Sequence, residues 1–143
     1  MVDASLLARL QHAAERIFAS KSVLAAYVFG SRVSGAPRPD SDLDIGYYLD
    51  GFHRGDRLPI AEEMRVAVKF SDAVDLPVDL HNLGDAPLEL RGRVLEEGIR
   101  IYSGDPAARV GLERDLLARY HDYKDIFRRM HEVRLRGLAE RGF

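Results

Sequence analysis

The sequence predicts an α/β (α+β) domain, a small mixed β-sheet flanked by helices, and three observations carry that expectation. Short apolar runs of strand length alternate with segments of helical periodicity, in the order α-β-loop-β-α-β-α-β-α. Helices separate the later strands, an arrangement that covers a sheet rather than stacking two sheets face to face. At 143 residues the chain is long enough for one domain with a real core.

Residues from about Asp3 to Ser20 read as an amphipathic helix. Leu6, Leu7, Leu10, Ala13, Ala14, Ile17 and Phe18 recur at three- and four-residue spacing, and Asp3 is placed to cap the first turn. Val23 to Phe29, rich in branched and aromatic residues, reads as a buried strand. A Gly/Pro/Ser-rich loop follows, then a second strand from Leu43 to about Leu49, closed by the Asp50-Gly51 turn. Residues 52 to 58 read as loop. Pro59 suits the first turn of a helix expected to run to about Ser71. A third strand is expected near Val78 to Asn82. Ala86-Pro87 opens a helix with Leu88, Leu90, Val94 and Leu95 on its apolar face and Gly98 as its stop. Ile99 to Tyr102 reads as a short strand. Asp105-Pro106 starts a long helix reaching about Glu140, with a break expected near Gly111. There is no internal repeat and no low-complexity tract.

Composition narrows the function classes. Charged residues make up 31% and apolar ones 46%, ordinary values for a globular protein. A net charge of −2 argues against bulk attraction to nucleic acid or to an anionic membrane. The chain has no cysteine, which excludes disulfides and thiolate metal sites. No apolar run approaches the ~20 residues needed to span a bilayer, and the N-terminus lacks a signal-peptide pattern. A cytoplasmic protein is expected.

The chemistry is concentrated between Gly30 and Asp44. Asp42 and Asp44, two apart on a strand, point to one face, while Leu43 and Ile45 point to the other. Their Cα atoms lie roughly 7 Å apart in such a strand, close enough for the side chains to lean around one or two hard cations. Like charges so placed need a cation or hydrogen bonds to compensate them. Upstream, the Gly30-Ser31 corner can expose backbone N–H groups, and Gly30 lets a phosphate or another backbone come close. An anion cradle beside a carboxylate pair describes a site for a nucleoside triphosphate carried with Mg²⁺.

A two-metal site calls for a third carboxylate, and Asp75 and Asp79 share strand parity. Pro77 cannot donate to a ladder and favours the first position of a strand, which leaves Asp79 inside the strand and Asp75 in its approach. Asp79 is the expected third ligand. Arg32 and Arg38 can contact phosphates, and Ser41 can brace the turn before Asp42; Asp40 reads as loop. His81 shares the parity of Asp79 and can sit near the metals. The five histidines show no paired metal-ligand spacing, and no HExxH occurs.

Gly30-Ser31, ten residues, then Asp42-Leu43-Asp44 resembles the GSx10DxD signature of the minimal nucleotidyltransferases of the polymerase-beta superfamily. Val78-Asp79-Leu80, then Ala86-Pro87 and a helix ending Val94-Leu95-Glu96-Glu97-Gly98, is similar to that family's third-carboxylate strand and its "AP…LREG" continuation. The resemblance covers roughly residues 20 to 103; the terminal helix matches only loosely. It implies one minimal nucleotidyltransferase domain over 1–143 with a polymerase-beta-like fold, its core at about 20–103 and a helical segment at about 105–141. It also implies that Gly30 and Ser31 hold the triphosphate; Arg32, by its own charge and place in the loop, is the third expected nucleotide contact. Asp42 and Asp44 would ligate two Mg²⁺ ions, Asp79 would complete the catalytic one, and ATP would be the substrate. Many such proteins are antitoxins encoded beside HEPN-fold ribonuclease toxins, and some transfer AMP to a toxin tyrosine. The implied partner is therefore a HEPN toxin, with no membrane and no direct nucleic acid.

Two other functions stand beside protein adenylylation. One is nucleotide transfer to a small molecule, though such enzymes generally carry a further substrate-binding domain. The other is a module that neutralises a toxin by masking it. In the C-terminal segment Arg114, His121 and Tyr123 mimic the R-x4–6-H-x-Y pattern of HEPN ribonucleases. That fold needs a bundle of several helices, and only one long helix remains here. Leu112, Leu116, Leu117, Tyr120 and Phe127 form an apolar stripe, part expected to dock on the sheet and part to meet a partner helix.

Overall fold

The structure, a computed structural model, describes residues 2–34 and 42–140. Among these, five helices and four strands follow in the order α1 (Ala4–Phe18), β1 (Val23–Phe29), α2 (Ser31–Ser34), β2 (Leu43–Leu49), α3 (Ile60–Val74), β3 (Val78–Asn82), α4 (Leu88–Glu97), β4 (Ile99–Ser103) and α5 (Pro106–Glu140). Short 3₁₀ turns at Phe52–Arg54 and Leu83–Asp85 interrupt the loops. The sheet order is β3-β2-β1-β4. β1 runs antiparallel to β2 and β4, and β2 runs parallel to β3 through the α3 crossover. The expected mixed sheet flanked by helices is what forms.

Both faces of the sheet are covered, so the central strands are apolar nearly throughout rather than alternating. On one face Leu43, Ile45, Tyr47 and Leu49 of β2 meet Leu10, Ala14 and Phe18 of α1 and Val66 and Phe70 of α3. On the other, Tyr27 and Tyr48 meet Val94 of α4 and Leu116 of α5. Leu24 and Ala25 both belong to this second face because a register shift between Val23 and Ala25 breaks the two-residue alternation.

Local signals account for most boundaries. The Leu6 amide donates to Asp3 Oδ1 at 2.7 Å, the expected cap of α1. Pro59 and Pro87 immediately precede α3 and α4, and Gly98 ends α4. Three boundaries differ from the sequence expectation. Helix α3 continues one turn past Ser71 because Val74 adds to the core. It stops where Asp75 adopts a left-handed conformation (φ 55°, ψ 40°) and its N–H reaches the Ser71 carbonyl at 2.8 Å. Residues 31–34 form one helical turn, not loop, closed by the Val33 N–H on the Gly30 carbonyl.

The third difference lies in α5, which passes Gly111 unbroken. A lone helical glycine costs about 1 kcal/mol, too little to interrupt 35 residues. The proximal half of α5 buries Leu116 and Tyr120 and pairs Lys124 with Glu96 of α4 at 3.2 Å. Gly92 makes this possible, since any Cβ there would overlap the Tyr120 ring. Farther along, Ile126, Phe127, Met130 and Val133 are exposed. Among the described residues, no helix is long and apolar enough to cross a membrane.

Candidate active site

Three neighbouring elements bring the site together at one end of the sheet, on the face covered by α4. Strand β2 places Leu43 and Ile45 in the opposite core and leaves Asp44 on the α4 side. Strand β3 starts at Val78, directly after Pro77, so Asp79 falls on the pleat that faces the same way, and the ladder sets Asp44 opposite Asp79. Ser71 of α3 fixes this start, accepting the Val78 N–H on Oγ at 3.0 Å. Asp75, the alternative third carboxylate, lies outside the strand as the residue that ends α3.

Strand β1 ends at Phe29, and the chain turns at Gly30 with φ +91°. That left-handed conformation favours glycine. Space demands glycine as well, because a Cβ on Gly30 would overlap Asp44 Oδ2 and lie 3.2 Å from its Cγ. Ser31, exposed, and Arg32 follow in the first helical turn. Phe29, Gly30, Ser31 and Asp44 form one wall of a cleft of about 370 Å³, and Leu90, Arg93 and Glu97 of α4 form the other.

The side chains of Asp44, Asp79 and His81 converge, each offering a ligand atom within 4.8 Å of the other two. His81 Nε2 lies 3.1 Å from Asp44 Oδ1 and 3.3 Å from Asp79 Oδ2. The hydrogen bond to Asp44 pushes the His81 pKa above its ordinary value; partial burial opposes this, and the Asp79 and Asp44 charges reinforce it. The imidazole thus bridges two carboxylates that would otherwise repel. Asp42, exposed one residue before β2, is not in this group. Arg38, Asp40 and Ser41 lie outside the described residues.

Clustered carboxylate oxygens are the donor set of a hard divalent cation, and the cleft lined by Gly30, Ser31 and Arg93 opens beside Asp44. Arg93 was not among the sequence candidates. Its signal was helical spacing: three residues after Leu90 and four before Glu97, it shares the face of α4 that lines the cleft.

The polymerase beta nucleotidyltransferase family matches residues 13–107. The chain belongs to that family. The match spans the glycine corner, both carboxylate strands and α4 of this nucleotidyltransferase. No curated protein sequence matches the chain. Among solved structures, one similar chain comes from a tri-AMPylated Shewanella oneidensis HEPN toxin in complex with its MNT antitoxin (18% identity, TM-score 0.64, covering 90% of this chain and 98% of that one). Another comes from a toxin–antitoxin complex with AMP-PNP (18% identity, TM-score 0.62, 90% and 98% covered). A third is from the MntA–HepT toxin–antitoxin complex (16% identity, TM-score 0.59, 91% and 97% covered). At such identities the likeness establishes a shared fold.

Proposed function

We propose that this nucleotidyltransferase is the antitoxin of a toxin–antitoxin pair, a protein adenylyltransferase that moves AMP from ATP to a tyrosine of a HEPN ribonuclease toxin and silences it. The observation that carries the reading is Asp44 facing Asp79 across the β2–β3 ladder beside the Gly30 corner. The kind of complex in which its structural neighbours occur supports the choice of partner. On this reading the whole chain works as one minimal domain in the cytoplasm, with a catalytic core at about 20–103 and a helical segment at about 105–141.

In this site Gly30, Ser31 and Arg32 hold the triphosphate, and Asp42, Asp44 and Asp79 hold two Mg²⁺ ions. Bound Mg²⁺ supplies charge neutralisation on the phosphates and lowers the pKa of the attacking hydroxyl. Asp79, at the open side of the cluster, accepts the tyrosine proton. The tyrosine oxygen forms its bond to the α-phosphorus as the bond to the β-phosphate oxygen breaks, and pyrophosphate leaves in line. The protein's share of catalysis is positioning and fixed charge.

The test is transfer of radiolabelled AMP from ATP to the co-expressed partner. Wild type is expected to label it on tyrosine, and the Asp42→Asn/Asp44→Asn variant to leave it unlabelled while melting as wild type does. Labelling by that variant would refute the site. The exposed stripe on distal α5 favours a second reading, neutralisation by masking. If the variant protects toxin-expressing cells as well as wild type does, masking is sufficient.

A further inference from the structure

The group at the end of β2 and β3 contains a nitrogen donor that a magnesium site has little use for. Mg²⁺ prefers an all-oxygen shell and keeps several waters, whereas imidazole suits transition ions, whose affinity rises from Mn²⁺ along the first row. His81 is built into the group rather than passing near it. It lies two residues after Asp79, so the strand's period puts both side chains on one face. Its neighbour across the ladder is Gly46, over which the Leu83 side chain packs. The Phe29 ring, 5.3 Å from the imidazole and tilted 55° to it, backs it from β1. The same nitrogen, Nε2, is aimed at one oxygen of each carboxylate, at 3.1 Å and 3.3 Å. A cation seated between those oxygens would meet that nitrogen too.

We propose that His81 is a metal ligand together with Asp44 and Asp79, and that this nitrogen donor gives the site a preference for Mn²⁺ and later transition ions over Mg²⁺. The inference rests on the active-site reading above and deepens it, since the family's chemistry requires carboxylates and this chain adds an imidazole. Mn²⁺ is the informative probe because it accepts oxygen and nitrogen donors and reports them spectroscopically. On binding, the Nε2 proton is released to solvent and the ring stays neutral with its proton on Nδ1. The freed Nε2 lone pair turns to the ion, and metal–oxygen bonds replace the hydrogen bonds to the carboxylates.

Titration calorimetry of the full chain with MnCl₂ and separately with MgCl₂, without nucleotide, tests this. Pulsed EPR of the Mn²⁺-loaded protein adds a readout independent of activity. Wild type is expected to bind Mn²⁺ more tightly than Mg²⁺ and to show ¹⁴N modulation from a bound imidazole. His81→Ala should lose that modulation and about tenfold or more in Mn²⁺ affinity, with Mg²⁺ affinity changed less than about twofold. His81→Gln, which retains a polar side chain should the alanine variant fold poorly, should lose the modulation and likewise bring the two affinities together. Wild-type modulation absent, or an unchanged Mn²⁺/Mg²⁺ ratio in both variants, overturns the role of His81. Asp44→Asn separates the two layers of the argument. Loss of both metals in that variant leaves the active-site reading standing whatever His81 does; retention of both overturns the reading and the inference together.

Discussion

Gly30 and Asp44 share one volume: the space a Cβ on Gly30 would need is taken by the Asp44 carboxylate. The motif's glycine is therefore both a turn residue and the wall against which the central carboxylate rests. Gly30→Ala would impose a side chain on a φ of +91° and push Asp44 off its position. The expected result is a stability loss of about 1–3 kcal/mol and loss of AMP-PNP binding, read by urea denaturation and by calorimetry. Normal binding in a stable Gly30→Ala protein would show that the corner does not position Asp44.

Gly92 plays a corresponding part where α5 joins the body. Its missing side chain lets the Tyr120 ring lie on the α4 backbone. Gly92→Ala is expected to lower stability by about 1–3 kcal/mol through overpacking. Hydrogen exchange should rise in the proximal half of α5 while the protection of β1 and β2 changes little.

Tyr47 makes the alkaline limit predictable. Its ring is buried beside Phe18, and its hydroxyl donates to Glu63 Oε2 at 2.5 Å. Burial first, then that hydrogen bond and the Glu63 charge, push its pKa well above the ordinary tyrosine value. A raised native pKa means that stability is fully present below the unfolded-state value of about 10 and is lost as pH climbs beyond it. Melting temperature is expected to fall above about pH 10. Tyr47→Phe should make that fall shallower, the buried Tyr27 and Tyr48, whose pKa values burial also raises, sustaining the rest. An equally steep fall in Tyr47→Phe would assign it to other groups.

The distal stripe of α5 separates folding from partnership. Phe127 is 59% exposed and Met130 67%, so replacing both by Asp removes little buried contact. Phe127→Asp/Met130→Asp is expected to keep stability within about 0.5 kcal/mol per site and to abolish co-purification with the proposed toxin partner. A variant that still co-purifies would place the partner interface elsewhere.

How much of this was legible in advance depends on the range of each signal. Asp3 as a cap, Pro77 as the residue before β3 and Gly98 as a stop act through their own backbone and immediate neighbours. They could be read from spacing alone. The end of α3 and the unbroken course of α5 could not, because Val74 belongs to a helix through core burial, and Gly111 is carried by the turns on either side. Arg93 was missed for a related reason: helical spacing puts it on one face with Leu90 and Glu97, but nothing in its own neighbourhood says that α4 lies across the glycine corner.

The sequence by itself determined the strand that carries Asp44, the parity that joins Asp79 to His81, and the glycine between the first strand and its neighbour. Side-chain direction along a strand and the conformational range of glycine are local properties. Only the tertiary structure decided that Asp44 and Asp79 oppose each other, that the His81 imidazole reaches both, and that α4 closes the cleft. Those facts depend on strand register and helix docking, which are settled by packing across the whole sheet and not by any one segment.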